Sequence, residues 1–254
     1  MKKSEWDAGV LEQFKDEYDF ARCQRPDGSY YGTAGQCRKG VLVGDRDFAK
    51  EIEGKTPFAE GGSGELYNVD GMAVKMQEDV YFPDVETEMA LQKKAADAGL
   101  APAVHQVKDL GDEKSMIVMD MIPKGMKNPT DEPMMLEELS PKLQDQGLNL
   151  YAKMLKADIV HADYHTGNWF ANSKGETQAI DFGIASQLSK PNLKHLTKGA
   201  MFILPVLQRK GSPLAGRIQR AFTTSDPGAG DREPGGKLEK ELTKVMKQVA
   251  KEFS

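Results

Sequence analysis

Cysteine is scarce: the 254 residues hold two, Cys23 and Cys37, both in one short segment. That excludes a secreted scaffold built on disulfides and fits a reducing compartment. Histidine numbers four, so a zinc site on those cysteines would have to recruit histidines from far along the chain. No apolar run approaches the roughly 20 residues that a membrane helix needs. Met1 to Leu11 carries Lys2 and Lys3 but lacks the apolar core of a signal peptide. A strong charge of one sign is also missing. The formal net charge is −5, which argues against general nucleic-acid binding. The expectation is a globular, cytoplasmic protein with no membrane partner, long enough for one large domain or one domain of two lobes.

Two apolar, strand-like runs that each end in a carboxylate are the strongest feature present. His161 to Phe170 reads H-A-D-Y-H-T-G-N-W-F, and Ala179 to Gly183 reads A-I-D-F-G. Asn168 follows Asp163 by five residues and precedes Asp181 by thirteen. That spacing brings two carboxylates and an amide oxygen to one end of a hairpin. Such a group can hold a divalent metal and orient a hydroxyl nucleophile.

Upstream, Thr56 to Gln77 reads as strand, glycine turn, strand, Asp70-Gly71 turn, strand. Gly61, Gly62, Ser63 and Gly64 let backbone amides approach a polyphosphate. Lys75, flanked by Ala73, Val74 and Met76, alternates into the interior as a cation for nucleotide phosphates; a solvent-facing lysine is the plainer alternative. The run from Phe82 to Ala98, closed by Gly99, has helical punctuation. Glu88 shares a face with Leu91 and Ala95 and is favoured over Glu86 as the partner of Lys75. Ala101–Val107 and Ser115–Ile122 are further strands. The exit of the second offers backbone groups at Asp120 and Ile122 for an adenine-type base, and Met119 lines that pocket or simply fills the core. Helices are expected over Pro133–Leu139 and Pro141–Leu155.

Taken in order, these residues resemble the protein-kinase-like superfamily over roughly residues 56 to 190. A-E-G-G-S-G-E-L-Y is similar to its glycine loop, with Ala59 at the first glycine position. Ala73-Val74-Lys75 is similar to its A-x-K strand. His161, Asp163 and Asn168 match its catalytic loop, and Asp181-Phe182-Gly183 its D-F-G. The resemblance implies an α+β, two-lobed fold with a small antiparallel sheet, one helix beside it, and a reduced helical lobe. It implies ATP and Mg²⁺ as cofactors, with Lys75 on the phosphates, Glu88 holding Lys75, Asp163 catalytic, and Asn168 and Asp181 on the metal. Ala162 stands where regulated kinases carry arginine, so control by a phosphorylated activation segment is not expected. His165 and Gly167 complete H-x-D-x-H-x-G-N, which resembles aminoglycoside and choline kinases and other atypical microbial kinases.

The leading expectation is a minimal serine/threonine protein kinase with a protein substrate. Alternatives are a small-molecule kinase and a nucleotide-binding scaffold. The kinase-like domain is expected at 45–222, split at 122/123, followed by a linker at 223–236 and an amphipathic helix at 237–254. At the N-terminus, 1–44 comprises a helix with Trp6, Val10, Leu11, Phe14 and Tyr18, then a segment with a Pro26-Asp27-Gly28 turn. Residues 21–40 resemble short cysteine- and glycine-containing modules of tailed-phage proteins. Both terminal helices are candidates either for packing on the domain or for docking a partner.

Overall fold

The computed structural model describes residues 46–61, 64–78, 85–111, 114–225 and 232–254. The expected helix and cysteine-containing segment of 1–44 lie outside them. So do Gly62 and Ser63, the start of the expected helix at Phe82, and the side chain of Glu86. The chain forms two units, Met1–Tyr81 with Val104–Met121, and Phe82–Ala103 with Ile122–Ser254.

The first unit is a short helix, α1 (Phe48–Glu51), and a five-stranded antiparallel sheet. Its strands are β1 (Ala59–Gly61), β2 (Gly64–Val69), β3 (Met72–Glu78), β4 (Val104–Gly111) and β5 (Lys114–Asp120), in the order β1-β2-β3-β5-β4. Asp70 and Gly71 join β2 to β3 with φ of 51° and 82°. Two positive φ values mark the primed turn whose twist suits a tight hairpin. Asn68 Oδ1 accepts from Gly71 N at 3.0 Å and steadies that turn. Strand alternation then sorts the side chains. Met72, Val74, Met116 and Val118 pack against Phe48 and Ile52 on one face. The register pairs Ala73 with Met119 and Lys75 with Ile117, which places these four on the opposite face.

The second unit contains α2 (Val85–Asp97), α3 (Pro141–Lys156), α4 (Leu193–Arg209), α5 (Pro213–Thr224) and α6 (Lys237–Phe253). Between α3 and α4 lie β6 (Ile159–His161), β7 (Trp169–Ala171), β8 (Thr177–Ala179) and β9 (Ala185–Gln187), paired β6 with β9 and β7 with β8. Leu148, Tyr151 and Leu155 of α3, Ile203 and Leu207 of α4, and Leu242, Val245 and Val249 of α6 are buried together. Each fully buried Leu, Ile or Val contributes about 1.5–3 kcal/mol of transfer free energy.

Two points differ from the sequence reading. Residues 82–103 join the helical unit rather than a lobe spanning 45–122, because Leu91 and Ala95 are buried in the helical core. Residues 237–254, expected either to pack on the domain or to dock a partner, contribute α6 to that core. Only a 3-10 turn, Leu136–Glu138, forms within Pro133–Leu139. Among the described residues, no helix is long and apolar enough to cross a membrane.

Candidate active site

The catalytic-loop candidates owe their positions to two small antiparallel pairs. β6 ends at His161, which pairs with Ala185 at the start of β9. The chain turns through the 3-10 segment Thr166–Asn168 and runs into β7. The β7–β8 hairpin returns it, and Ile180 N donates to Asn168 O at 2.9 Å. The residue after Ile180 is Asp181, so the hairpin sets Asn168 and Asp181 at one end. Asp181 has a φ of 61°, a conformation that non-glycine residues rarely adopt and that clusters at functional sites.

His161 is fully buried and ties the two carboxylate-bearing segments together. Its Nε2 lies 2.9 Å from Ile180 O. Its Nδ1 accepts from Asp163 N at 3.3 Å. Those two bonds define one neutral tautomer, with the proton on Nε2. Burial pushes the imidazole pKa down from its ordinary value, in keeping with that neutral form. The ring also meets Phe182 edge-on, with centroids 5.1 Å apart.

Asn168 Nδ2 donates to Asp163 O at 2.9 Å and to Asp163 Oδ2 at 3.1 Å. With its amide nitrogen committed, Asn168 keeps Oδ1 as an acceptor. His165 Nδ1 accepts from Gly167 N at 3.1 Å. The ring's other nitrogen, Nε2, lies 3.6 Å from Asp163 Oδ2. The His165 ring beside it holds the Asp163 carboxyl below the usual range, and Lys198 of α4 adds a smaller electrostatic contribution. Asp163 is therefore ionised at neutral pH, and its side chain is 41% exposed. Glycine is required at 167, where a Cβ would fall 2.9 Å from His165 Cε1 and 3.3 Å from Pro133 Cγ.

Sequence reasoning missed the residues that buttress this loop. Thr166 is buried and bonds Thr130 Oγ1 at 2.6 Å and Met134 N at 2.8 Å. Asn128 Nδ2 donates to Thr166 O and Gly167 O at 3.1 and 3.0 Å. Nothing local marks these partners, because they lie more than thirty residues away in the chain. Glu88 of α2 is buried, with Leu91, Gln92 and Ala95 on the same helix.

In the first unit, Gly61 of β1 pairs with Gly64 of β2. Gly64 has a φ of 124°, and a Cβ there would lie 2.0 Å from Met76 O, so glycine is dictated by close strand approach. Lys75, Ala73 and Met119 are all buried on one face of the sheet. Asp120 closes β5 and its Oδ1 lies 2.7 Å from His105 Nε2. Ile122, grouped with these by sequence, begins the second unit and is half-buried.

Among the described residues, no cluster of three or more His, Cys, Asp or Glu side chains can hold a metal unaided. Magnesium does not require one. It is bound through one or two carboxylates, with waters and substrate phosphates completing the octahedron. Asp181 and the Asn168 Oδ1 are hard oxygen donors of that kind, so the residues present fit Mg²⁺.

Residues 88–206 match the ABC1 atypical kinase-like domain. The matched span contains Glu88, Asp163, Asn168 and Asp181, and leaves Lys75 and the glycine turn outside it. The kinase PK-1 of Cydia pomonella granulovirus is a similar solved structure, at 16% identity and a TM-score of 0.41. That alignment covers 57% of this chain and 57% of the viral one. No curated protein matches.

Proposed function

From the premise that the chain is a protein-kinase-like superfamily member, we propose that it is an ATP- and Mg²⁺-dependent phosphotransferase acting on serine or threonine hydroxyls of a protein. The observation that carries this reading is the hydrogen-bond set around Asn168. It commits the amide nitrogen to Asp163, leaving Oδ1 as a metal-type donor beside an ionised, accessible carboxylate.

Phosphoryl transfer rests on positioning and charge stabilisation rather than covalent help from the protein. Asp163 accepts a hydrogen bond from the attacking hydroxyl, orients it and takes its proton as the bond from that oxygen to the γ-phosphorus of ATP forms and the bond from the same phosphorus to the bridging oxygen breaks, leaving ADP. Its lowered pKa makes it a weak base, so orientation is its larger contribution. Asn168 Oδ1 and Asp181 would hold Mg²⁺, which when bound neutralises charge on the nucleotide phosphates. Lys75 of the first unit would supply a cation to those phosphates, and Gly61 and Gly64 backbone groups; Glu88 is the buried carboxylate of α2. Ala73, Met119 and the backbone at Asp120, all of the first unit, would receive the base. His161 keeps the loop in register through two hydrogen bonds and makes no contact with substrate.

A small-molecule acceptor is disfavoured by the stretch between β5 and α3, which contains one 3-10 turn and no inserted helices to enclose a ligand. Labelled ATP with Mg²⁺ should mark generic protein acceptors on serine or threonine, read by phosphoamino-acid analysis. Label that passes only to aminoglycosides or other small alcohols would replace the protein-kinase reading with the small-molecule one. Nucleotide binding without transfer to either would leave a scaffold.

A further inference from the structure

Asp158 belongs to none of the motifs above. It stands between α3 and β6 with a φ of 62°, a conformation glycine adopts freely and aspartate only at a cost. Its carboxylate is surrounded by donors. Ser189 N donates to Oδ1 at 2.6 Å, Ser189 Oγ to Oδ2 at 2.8 Å, and Lys94 Nζ to Oδ2 at 2.8 Å. Its backbone is engaged as well: Asp158 N donates to Leu155 O at 2.9 Å, and Asp158 O accepts from Leu188 N at 3.2 Å.

Three pieces of the second unit meet at this residue. One is the entry to β6, which leads through His161 to Asp163. Another is the segment after β9, eight residues beyond Asp181. The last is α2, where Lys94 lies six residues after Glu88. A glycine would make the same turn without strain. The Lys94–Asp158 pair is 39% and 31% exposed, and pairs this accessible add little stability. What the carboxylate contributes beyond a glycine is therefore geometry. Burial opposes its ionisation, but the bonds from Lys94 and Ser189 outweigh that and hold its pKa below the usual carboxylate range.

We propose that Asp158 is a positioning residue for phosphoryl transfer, fixing α2 and its Glu88 against the segments that carry Asp163 and Asp181. This rests on the phosphotransferase reading above. Asp158 itself touches no substrate.

Asp158→Gly removes the carboxylate and relieves the backbone, so the fold is kept. Lys94→Met cuts the tie to α2 alone, and Lys94→Arg preserves it. Hydrogen exchange over Val85–Asp97 and steady-state kinetics with Mg²⁺-ATP are measured on each full-length protein. Asp158→Gly and Lys94→Met should both speed exchange in α2 and lower kcat roughly tenfold, with KM for the protein acceptor nearly unchanged. Lys94→Arg should resemble wild type in both readouts. Unchanged kcat in Asp158→Gly overturns the positioning role, whatever the exchange shows. Wild-type protein that transfers no phosphate sinks the phosphotransferase reading instead. Exchange then decides the tie: faster in both variants supports it, and unchanged in both refutes it.

Discussion

Asp163, Asn168 and Asp181 were legible because a hairpin converts their sequence spacing into proximity. His161 was legible as a support, since a histidine two residues before the loop carboxylate can reach the loop backbone. Thr166, Asn128 and Asp158 were not, because each acts through partners far off in sequence. The neutral, buried His161 carries a pH signature. Its folded pKa is depressed, so its contribution to stability is complete above the ordinary value of 6.5. As pH falls below that value the unfolded chain gains a proton that the folded chain resists, and the contribution is lost toward the lowered folded pKa. His161→Gln should cost about 1–3 kcal/mol at pH 7.5. Thermal melts should show the gap between wild type and variant narrowing toward pH 5.5. A gap that widens on acidification contradicts a neutral imidazole. For the loop carboxylate, Asp163→Asn should lower kcat by roughly 10²–10⁴ while nucleotide affinity, measured by calorimetry, stays near wild type.

Elements were read best where local chemistry sets the backbone. Asp70-Gly71 announces a primed turn, and β2 and β3 follow on either side of it. Gly64 fits the same logic for a different reason, since the carbonyl of Met76 occupies the space a side chain would need. Gly64→Ala should therefore destabilise the sheet by about 1–3 kcal/mol, seen as an earlier denaturant midpoint. The expected helix over Pro133–Leu139 reduced to one 3-10 turn for reasons the sequence does contain. Pro141 forces Ser140 to an extended ψ of 151°, and Glu138 Oε2 turns back to accept from Met135 N at 2.7 Å. Proline and cap together stop the helix before it can extend. The α2 helix was recognised by its punctuation, but its allegiance to the helical unit depends on Leu91 and Ala95 finding their packing partners there.

At the scale of the whole molecule, composition excluded more than it located. The glycine- and proline-rich stretch before Lys237 signals a break in regular structure and says nothing about where the next helix packs. The amphipathic pattern of α6 was visible, and its Leu242, Val245 and Val249 are buried with the apolar stripe of α3, which the pattern alone could not locate. Leu242→Ala should cost about 2–5 kcal/mol in chemical denaturation, and deletion of 237–254 should leave α3 and α4 with uncovered apolar surface and an insoluble product. The hydrogen bonds of His161 and the contacts among Asp163, His165 and Asn168 hold the loop on which the proposed transfer depends. The most direct measurement is Mg²⁺-dependent transfer of the γ-phosphoryl group from labelled ATP to a protein acceptor by wild type, Asp163→Asn and Asp181→Asn side by side. Transfer by wild type that requires Mg²⁺ and collapses in both variants is the predicted result; transfer that persists undiminished in either variant would contradict it.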